Sequence, residues 1–210
     1  MIKDSDTIRM LALRGAELLD HLDAIAKLRI AVFRDWPYLY QGDLDYERAY
    51  LAAYAKSADS FCALALADGQ PVGASTGIPL NDDAPGSDQA FVDAGLPPDQ
   101  VFYFGESILL PAWRGCGIGH RFFDLREQHA HDLGRFRWTA FCAVRREADD
   151  PRRPPGHRDN DHFWLGRGYV KQPGMSCELN WKEVGADQST PHRLDYWLHE
   201  WPEWPEWPQA

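Results

Sequence analysis

The sequence is poor in basic residues. Its 210 residues include 22 lysines and arginines against 32 aspartates and glutamates, so the formal net charge is −10. Binding of nucleic acid or of an anionic membrane needs a basic surface that displaces counterions. We therefore expect neither partner, and any anionic ligand must meet a local cluster of cations.

Cysteines are also few, and long apolar runs are missing. Cys62, Cys116, Cys142 and Cys177 lie far apart, without the paired spacing of zinc sites or dense disulfide frameworks. We expect free thiols in a reducing compartment and no metal. The N-terminus lacks the apolar core of a signal peptide, and no run of about 18 apolar residues could span a bilayer. These absences predict a soluble, cytoplasmic protein.

Apolar and aromatic residues are plentiful, at 44% and 13% of the chain, and suffice for one substantial core. Apolar residues at helical spacing predict a long helix over 16–36 and another over 46–58. Period-two patterns predict strands at 7–13, 61–67, 71–80, 101–110 and 136–144, and a strand hairpin within 169–184. A helix ending near residue 134 and a short helix at 161–166 complete a mixed α/β sheet.

The C-terminal segment has a composition of its own. "WPEWPEWP", residues 201–208, repeats with a period of three, and proline at each third position forbids both a helix and a central strand. We therefore expect one domain over residues 1–185 and an extension over 186–210. The extension is either an uninvolved terminus or an arm that binds a partner or clasps the domain.

Closely spaced glycines follow a predicted strand in "YFGESILLPAWRGCGIGHRFF", residues 103–123. Gly115, Gly117 and Gly119 precede a predicted helix, whose N-terminus attracts an anion that glycine lets the backbone approach. The alternative is an ordinary turn that needs glycine for positive φ. A phosphate-binding loop would need lysine after the last glycine, and a dinucleotide fingerprint would need glycine at position 120, where His120 stands.

A glutamate interrupts the apolar pattern of the same strand. A period of two places Glu106 on one face with Phe104 and Ile108. Desolvation disfavours a charged carboxylate, which suits a group that takes a proton from an ammonium near neutral pH. The alternative is a structural carboxylate, hydrogen-bonded at an opening in the sheet.

The pattern [RQ]-x-x-G-x-[GA] fits "RGCGIG", residues 114–119, and here the sequence resembles the GNAT superfamily of N-acetyltransferases. The order of elements is similar to about residue 183, and "FWLGRGYV" resembles the family's last helix and following strand. The resemblance implies the GNAT-like acyl-CoA N-acyltransferase fold, with a mostly antiparallel twisted sheet flanked by helices, and acetyl-CoA as co-substrate. The coenzyme-binding residues that it implies are Ile108, Leu109, Leu110, Arg114, Gly115, Cys116, Gly117, Ile118, Gly119 and His120.

The resemblance also implies a general base on the strand, here Glu106, and a tyrosine that protonates the leaving thiolate. Trp164 occupies that tyrosine's position, and an indole N–H is too weak an acid for the task. Cys142, His162 and Tyr169 are the other candidates, or the thiolate leaves without an acid from the protein.

The sequence therefore predicts transfer of acetyl from acetyl-CoA to a primary amine of a small molecule. Three acids in and around the loop after the first helix, Asp35, Asp43 and Asp45, would suit a cationic amine through their charge, and three aromatic residues there, Trp36, Tyr38 and Tyr40, would suit it through cation–π contact. The alternative is a solvated acidic loop whose aromatic side chains pack on the helices. Arg126 is expected on the solvated face of its helix. The alternative function is an acetyl-CoA-binding sensor or interaction module with weak or no catalysis, and a homodimer is left open.

Overall fold

An eight-stranded sheet forms the centre of the computed structural model, which describes residues 8–84 and 86–203. The strands are β1 (Ile8–Arg14), β2 (Phe61–Ala67), β3 (Gln70–Pro79), β4 (Val101–Tyr103), β5 (Ser107–Leu109), β6 (Trp138–Val144), β7 (Val170–Lys182) and β8 (Ser189–Glu200). Their spatial order is β1-β2-β3-β4-β6-β8-β7, and β5 also pairs with β3. The β4–β6 pair is parallel and the other pairs are antiparallel. The predicted mixed, mostly antiparallel sheet is confirmed.

Helices cover both faces of this sheet. They are α1 (Leu22–Phe33), α2 (Leu44–Tyr54), α3 (Gln89–Asp93), α4 (Ile118–Asp132) and α5 (Asp161–Gly166). Strand β2 shows the two layers, because Phe61 packs in the core beside α4 while Leu64 packs in the core beside α1 and α2. No helix within the described ranges combines the length and apolar character that crossing a bilayer requires.

The first predicted helix begins later than expected. A 3₁₀ helix occupies Gly15–His21, and the α-helix starts only at Leu22. Gly15 has a φ of +48°. Among the side chains of this short segment only Leu18 is buried. A single buried side chain does not require the 3.6-residue period that the sequence pattern had indicated.

The strand predicted over 101–110 is interrupted. β4 ends at Tyr103, β5 begins at Ser107, and the residues between them are irregular. Phe104 packs in the core beside α4, whereas Glu106 reaches Arg29 on α1. The expected common face for Phe104 and Glu106 is therefore wrong, because side chains alternate strictly only along a continuous strand.

The C-terminal strand β8 lies inside the sheet, between β6 and β7. It pairs with β6 from Trp138↔Glu200 to Val144↔Leu194. The hairpin predicted within 169–184 is instead the single strand β7, whose partner is β8. The domain boundary predicted at residue 185 is thereby corrected, since the sheet runs to Glu200.

Only the start of the Trp-Pro-Glu repeat lies within the described residues. Trp201 donates from Nε1 to Thr139 Oγ1 at 2.9 Å. Its ring stacks on that of His199, with centroids 3.7 Å apart. Trp201 is thus attached to the sheet, and residues 204–210, with the rest of the repeat, lie outside the described part of the chain.

Candidate active site

The sheet opens next to the interruption between β4 and β5. β4 and β6 pair over three residues, from Val101↔Trp138 to Tyr103↔Ala140. One more hydrogen bond, from Phe104 N to Ala140 O at 2.7 Å, closes the parallel ladder. Beyond this bond, among the described strands, β5 pairs only with β3, and β6 pairs only with β8, so β5 and β6 separate from each other. The separation leaves backbone groups of both strands without a strand partner at the same place.

A cleft of about 570 Å³ occupies this opening. Phe104, Gly105, Glu106, Ser107 and Leu109 line one wall, and the facing wall is lined by Phe141, Cys142, Ala143 and Val144. We call one end of the cleft the glycine end; it is formed by Arg114, Gly119 and Phe163. The other end, which we call the acceptor end, is formed by Trp36, Tyr38, Arg146 and His157.

The glycine end has the backbone geometry of an anion site. Gly115 and Gly117 have φ values of +77° and +78°, and no heavy atom lies within 4 Å of a Cβ built on either. Gly117 is the N-cap of α4. The first N–H groups of a helix have no acceptor within the helix, and the helix dipole adds partial positive charge there. An anion can therefore approach the open side of the turn.

The predicted coenzyme-binding residues lie along this end and the adjoining strand. Leu109, Arg114 and Gly119 line the cleft. The Arg114 Nε donates to Leu109 O at 3.1 Å, which fixes the turn against β5. The side chain of Ile108 instead packs in the core beside α1 and α2. The remaining predicted residues are neighbours of these in the chain: Leu110, Gly115, Cys116, Gly117, Ile118 and His120.

Glu106 belongs to a buried cluster of charges that the sequence did not reveal. Its side chain is 1% exposed, and its Oε2 lies 2.5 Å from Arg29 Nη1. Arg29 Nε donates to Glu47, which is also buried. The Tyr50 hydroxyl donates to Glu106 Oε2 at 3.4 Å, and its ring lies 4.2 Å below the guanidinium carbon of Arg29. Among the described residues, no group hydrogen-bonds to Glu106 Oε1.

The charges of this cluster hold Arg29 firmly in its protonated form. Burial by itself lowers the pKa of a guanidinium. The negative charges of Glu106 and Glu47 outweigh burial, so that the pKa of Arg29 lies well above its usual value. Arg29 thus remains a fixed cation and cannot act as a proton donor.

Arg126 is buried, which corrects the expected solvated position. It is 1% exposed. Its Nη1 donates to Thr76 O at 3.2 Å and to Glu106 O at 3.1 Å, and its Nη2 donates to Ser107 Oγ at 2.8 Å. Burial lowers the pKa of Arg126 to about 10. These bonds tie α4 to the irregular segment and hold the cleft wall that carries Glu106.

The candidates for a proton donor have unequal positions. Trp164 packs against Phe141 and Trp197, with ring centroids 5.0 and 5.1 Å apart. Tyr169 is fully buried and bonded to Thr139, and burial raises the pKa of its phenol well above the usual value. Neither arrangement presents an acid to the opening.

The remaining two candidates differ in access. His162 is exposed on α5 and is not part of the cleft wall. Cys142 lines the cleft, and its sulfur lies 3.0 Å from the Tyr103 hydroxyl. A hydrogen bond with Cys177, followed by burial, raises the pKa of the Cys142 thiol well above its usual value. The thiol is therefore a weak acid.

The acids expected to receive an amine are not brought to the cleft. Asp43 is the N-cap of α2, and its carboxylate accepts from Tyr46 N at 2.9 Å. Asp45 pairs with Arg48 at 3.0 Å. Asp35 is exposed and lies outside the cleft wall. The structure is thus consistent with the alternative of a solvated acidic loop.

Comparison with known proteins rests on structure. No protein-family model matches the chain, and no curated protein matches it in sequence. An acetyltransferase of the GNAT family from Streptococcus pneumoniae superposes with a TM-score of 0.56 at 13% identity, over 91% of this chain and 99% of that one. Escherichia coli ElaA superposes with a TM-score of 0.53 at 18% identity, over 92% of this chain and 99% of that one. The loading GNATL domain of CurA from Lyngbya majuscula superposes with a TM-score of 0.56 at 13% identity, over 91% of this chain and 98% of that one.

The chain has the GNAT fold. The predicted fold is therefore confirmed. The glycine turn, α4 and the separated strands are parts of that fold. GNAT acetyltransferases imply acetyl-CoA as co-substrate, and three observations fit it: the open positive-φ turn, the N-terminus of α4, and the free backbone edges of β5 and β6.

Proposed function

We propose that the protein is an N-acetyltransferase that moves acetyl from acetyl-CoA to a primary amine of a small molecule. One observation carries this proposal. The glycine turn and the buried carboxylate of Glu106 lie on the same cleft, at the point where the sheet opens. An anion site and a proton acceptor are the two features that attack by an amine on a coenzyme A thioester requires.

The glycine end would hold the coenzyme. Backbone N–H groups from Gly115 to His120 would bind its pyrophosphate, with Arg114 adding a positive charge. The edge of β5 from Ile108 to Leu110 would bind the pantetheine arm as a strand binds a neighbour. Acetyl-CoA, when bound, supplies the acetyl group as a thioester.

Glu106 would take the proton of the acceptor amine, directly or through water. Its Oε2 is engaged by Arg29 and Tyr50, whereas its Oε1 is free of any hydrogen bond from the described residues. Oε1 therefore has lone pairs that no described group occupies, and in this proposal it receives the proton. Because Trp164 cannot donate one, the proposal includes departure of the thiolate without an acid from the protein.

Paired glycine variants test the coenzyme site. Gly117 and Gly134 adjoin opposite ends of α4, have φ values of +78° and +69°, and have no heavy atom within 4 Å of a built Cβ. Gly117→Asp and Gly134→Asp therefore strain the backbone in similar ways, but only the first adds bulk and negative charge to the glycine end. We expect acetyl-CoA to raise the Tm of wild type and Gly134→Asp, and to leave that of Gly117→Asp unchanged. An equal shift in both variants would remove the turn from the site.

A second candidate function is an acetyl-CoA-binding sensor with weak or no catalysis. The ion pair between Glu106 and Arg29, together with Trp164 at the position of the expected acid, favours it. Release of coenzyme A thiol from acetyl-CoA, measured across a panel of amines, separates the two. A Tm shift without release by any amine would support the sensor.

A further inference from the structure

The acceptor end is built by contact between two loops. After β6, Arg146 Nε donates to Pro37 O at 2.6 Å and its Nη2 donates to Tyr38 O at 3.0 Å. Further along the same loop, the ring of His157 meets the ring of Trp36 edge to face at 6.1 Å. The loop of residues 145–160 therefore contacts the segment that follows α1 through Arg146 and His157.

The cleft is cationic although the protein is acidic. Seven arginine and lysine side chains line it, against four carboxylates, Glu106, Asp159, Asp161 and Asp195. The whole chain has a net charge of −10. A positive balance of charge along a cleft of an acidic protein indicates a ligand with negative charge.

Ion pairs neutralise part of this positive charge and leave the rest. Arg153 pairs with Asp159 at 2.7 Å, and Arg146 pairs with Glu183, outside the cleft wall, at 2.6 Å. Asp195 is shared by Arg145 and Lys171. The neighbouring Arg158 lines the cleft and makes no ion pair or hydrogen bond with any described residue. Its guanidinium is therefore available to a ligand.

An unsatisfied donor at the same end points to an oxygen acceptor. Trp36 lines the cleft and is 9% exposed, and its Nε1 finds no hydrogen-bond partner in the part of the chain described. A buried N–H without an acceptor is costly. An indole N–H only donates, so it can bind a carboxylate or phosphate oxygen and cannot bind an ammonium group.

We propose that the acceptor is an amine that also carries an anionic oxygen acid, and that Trp36, Arg153, His157 and Arg158 bind that acid while the amino group faces Glu106. This proposal rests on the acetyltransferase function above. The negative charge of the acceptor, rather than its amine, would then select it at this end. Carboxylate and phosphate share the chemistry, and the experiment separates them.

Matched pairs of amines test the proposal. Each pair differs only in the acid: β-alanine and ethylamine, γ-aminobutyrate and propylamine, a set of α-amino acids and their decarboxylated amines, and O-phosphoethanolamine and ethanolamine. The measurement is kcat/KM for thiol release from acetyl-CoA. We expect the acid-bearing member of at least one pair to exceed its partner by about tenfold or more, the effect of one charge-assisted hydrogen bond. The first three pairs report on carboxylate and the last on phosphate.

Variants connect that preference to the residues. Arg158→Gln and Trp36→Phe should each reduce the preference by about tenfold through the acceptor's KM. Arg34→Gln is the matched control, because Arg34 is also exposed, has no ion pair with the part of the chain that the structure describes, lies near Trp36 in the chain, and does not line the cleft. It should leave the preference unchanged.

The outcomes distinguish this proposal from the proposed function. Equal or faster acetylation of amines that lack an acid would overturn the acidic acceptor and leave the acetyltransferase intact. A second outcome is that Arg158→Gln weakens the binding of acetyl-CoA, measured by the Tm shift, and leaves the preference for acid-bearing amines unchanged. That result would assign the charge of Arg158 to the coenzyme and overturn the proposal. If the protein binds acetyl-CoA but acetylates none of the amines, both the acidic acceptor and the acetyltransferase function would be overturned.

Discussion

Buried charge is the feature that sets the individual residues of the site apart. Arg29 and Arg126 lie on opposite sides of Glu106, one bonded to its carboxylate and the other to its carbonyl oxygen. Removing charges from water costs several kcal/mol for each ion unless partners compensate. Two buried cations thus offset two buried carboxylates, those of Glu106 and Glu47, beside the cleft.

The role of that carboxylate is tested by Glu106→Gln, which keeps the volume and removes the basic oxygen. We expect kcat/KM at neutral pH to fall by about 10²–10⁴-fold, the usual contribution of general base catalysis. At higher pH more of the amine is already deprotonated, so the variant should recover part of its rate. The measurement is kcat/KM against pH, with binding of acetyl-CoA expected to stay close to wild type.

Glu127→Gln provides the control for that experiment. Glu127 is also a buried carboxylate, but it pairs with Arg167 and lies outside the cleft wall. Its substitution should alter stability without changing the shape of the pH profile. Parallel profiles for wild type and Glu106→Gln, separated by a small constant factor, would show that Glu106 is structural.

Arg29→Met should lower the stability of the protein. The variant leaves the buried carboxylates of Glu47 and Glu106 without their common cation, and breaking such a pair typically costs about 3–5 kcal/mol. Urea unfolding of the variant and of wild type measures this difference.

Arg48→Met serves as the comparison for that series. The Arg48 side chain is 41% exposed and pairs with Asp23 and Asp45 on the surface. Surface pairs contribute about 0–1 kcal/mol. A loss of stability in Arg29→Met as small as that in Arg48→Met would contradict the account of the buried cluster.

At the scale of the elements, α4 supports the site from both its first turn and its middle. Its N-terminus borders the glycine end, and Arg126, two turns later, reaches the irregular segment between β4 and β5. The sequence contained the signal for this second contact. Ile118, Phe122, Arg126 and Ala130 follow one another at intervals of four, which puts the arginine on the apolar stripe of its helix.

Arg126→Met tests the middle of α4. It should leave the buried oxygens of Thr76, Glu106 and Ser107 with fewer donors, and we expect the free energy of unfolding to drop by about 1–3 kcal/mol. The rate of acetyl transfer should fall as well, because these bonds hold the wall that carries Glu106. Arg137→Met, at a side chain 52% exposed, should change neither quantity by much. Full activity in a folded Arg126→Met variant would separate the arginine from the site.

The sequence predicted those elements whose formation depends on residues close together in the chain. The strand-turn-helix unit was legible, because glycines and helical spacing act within a few residues. The interruption at Phe104–Glu106 and the ion pair from Glu106 to Arg29 were not, since the partners are 77 positions apart. Apolar residues at every second position indicate a strand, but they do not show at which residue its pairing changes from one neighbouring strand to another.

At the scale of the whole molecule, the fold depends on a strand that composition had assigned to an extension. β8 pairs with both β6 and β7. Turn-forming and polar residues in "EVGADQSTPH", residues 183–192, lead into β8 and form its first four positions, and they concealed the following apolar run from a boundary based on composition. The apolar stretch from Leu194 to Leu198, in which only Asp195 is charged, would have been the better guide.

Two truncations follow from that position. A chain ending at Gln188 should not fold, because β6 and β7 would lose their common partner and expose two unpaired edges. A chain ending at Glu203 should fold, keep the bond between Trp201 and Thr139, and keep the Tm shift with acetyl-CoA. Circular dichroism and Tm decide both, and a folded chain ending at Gln188 would place β8 outside the essential sheet.

The indole rings around the cleft have a practical consequence for measurement. Trp36, Trp164 and Trp197 all line it, from the acceptor end to the wall beside α5. Tryptophan emission responds to polarity and to nearby charge, so the arrival of either substrate should alter the intrinsic fluorescence of the protein. Emission changes lost in Trp36→Phe would report the acceptor, and those lost in Trp164→Phe would report the coenzyme. The molecule thus carries its own optical probes at two positions of one cleft, and the order in which its substrates bind can be followed without a label.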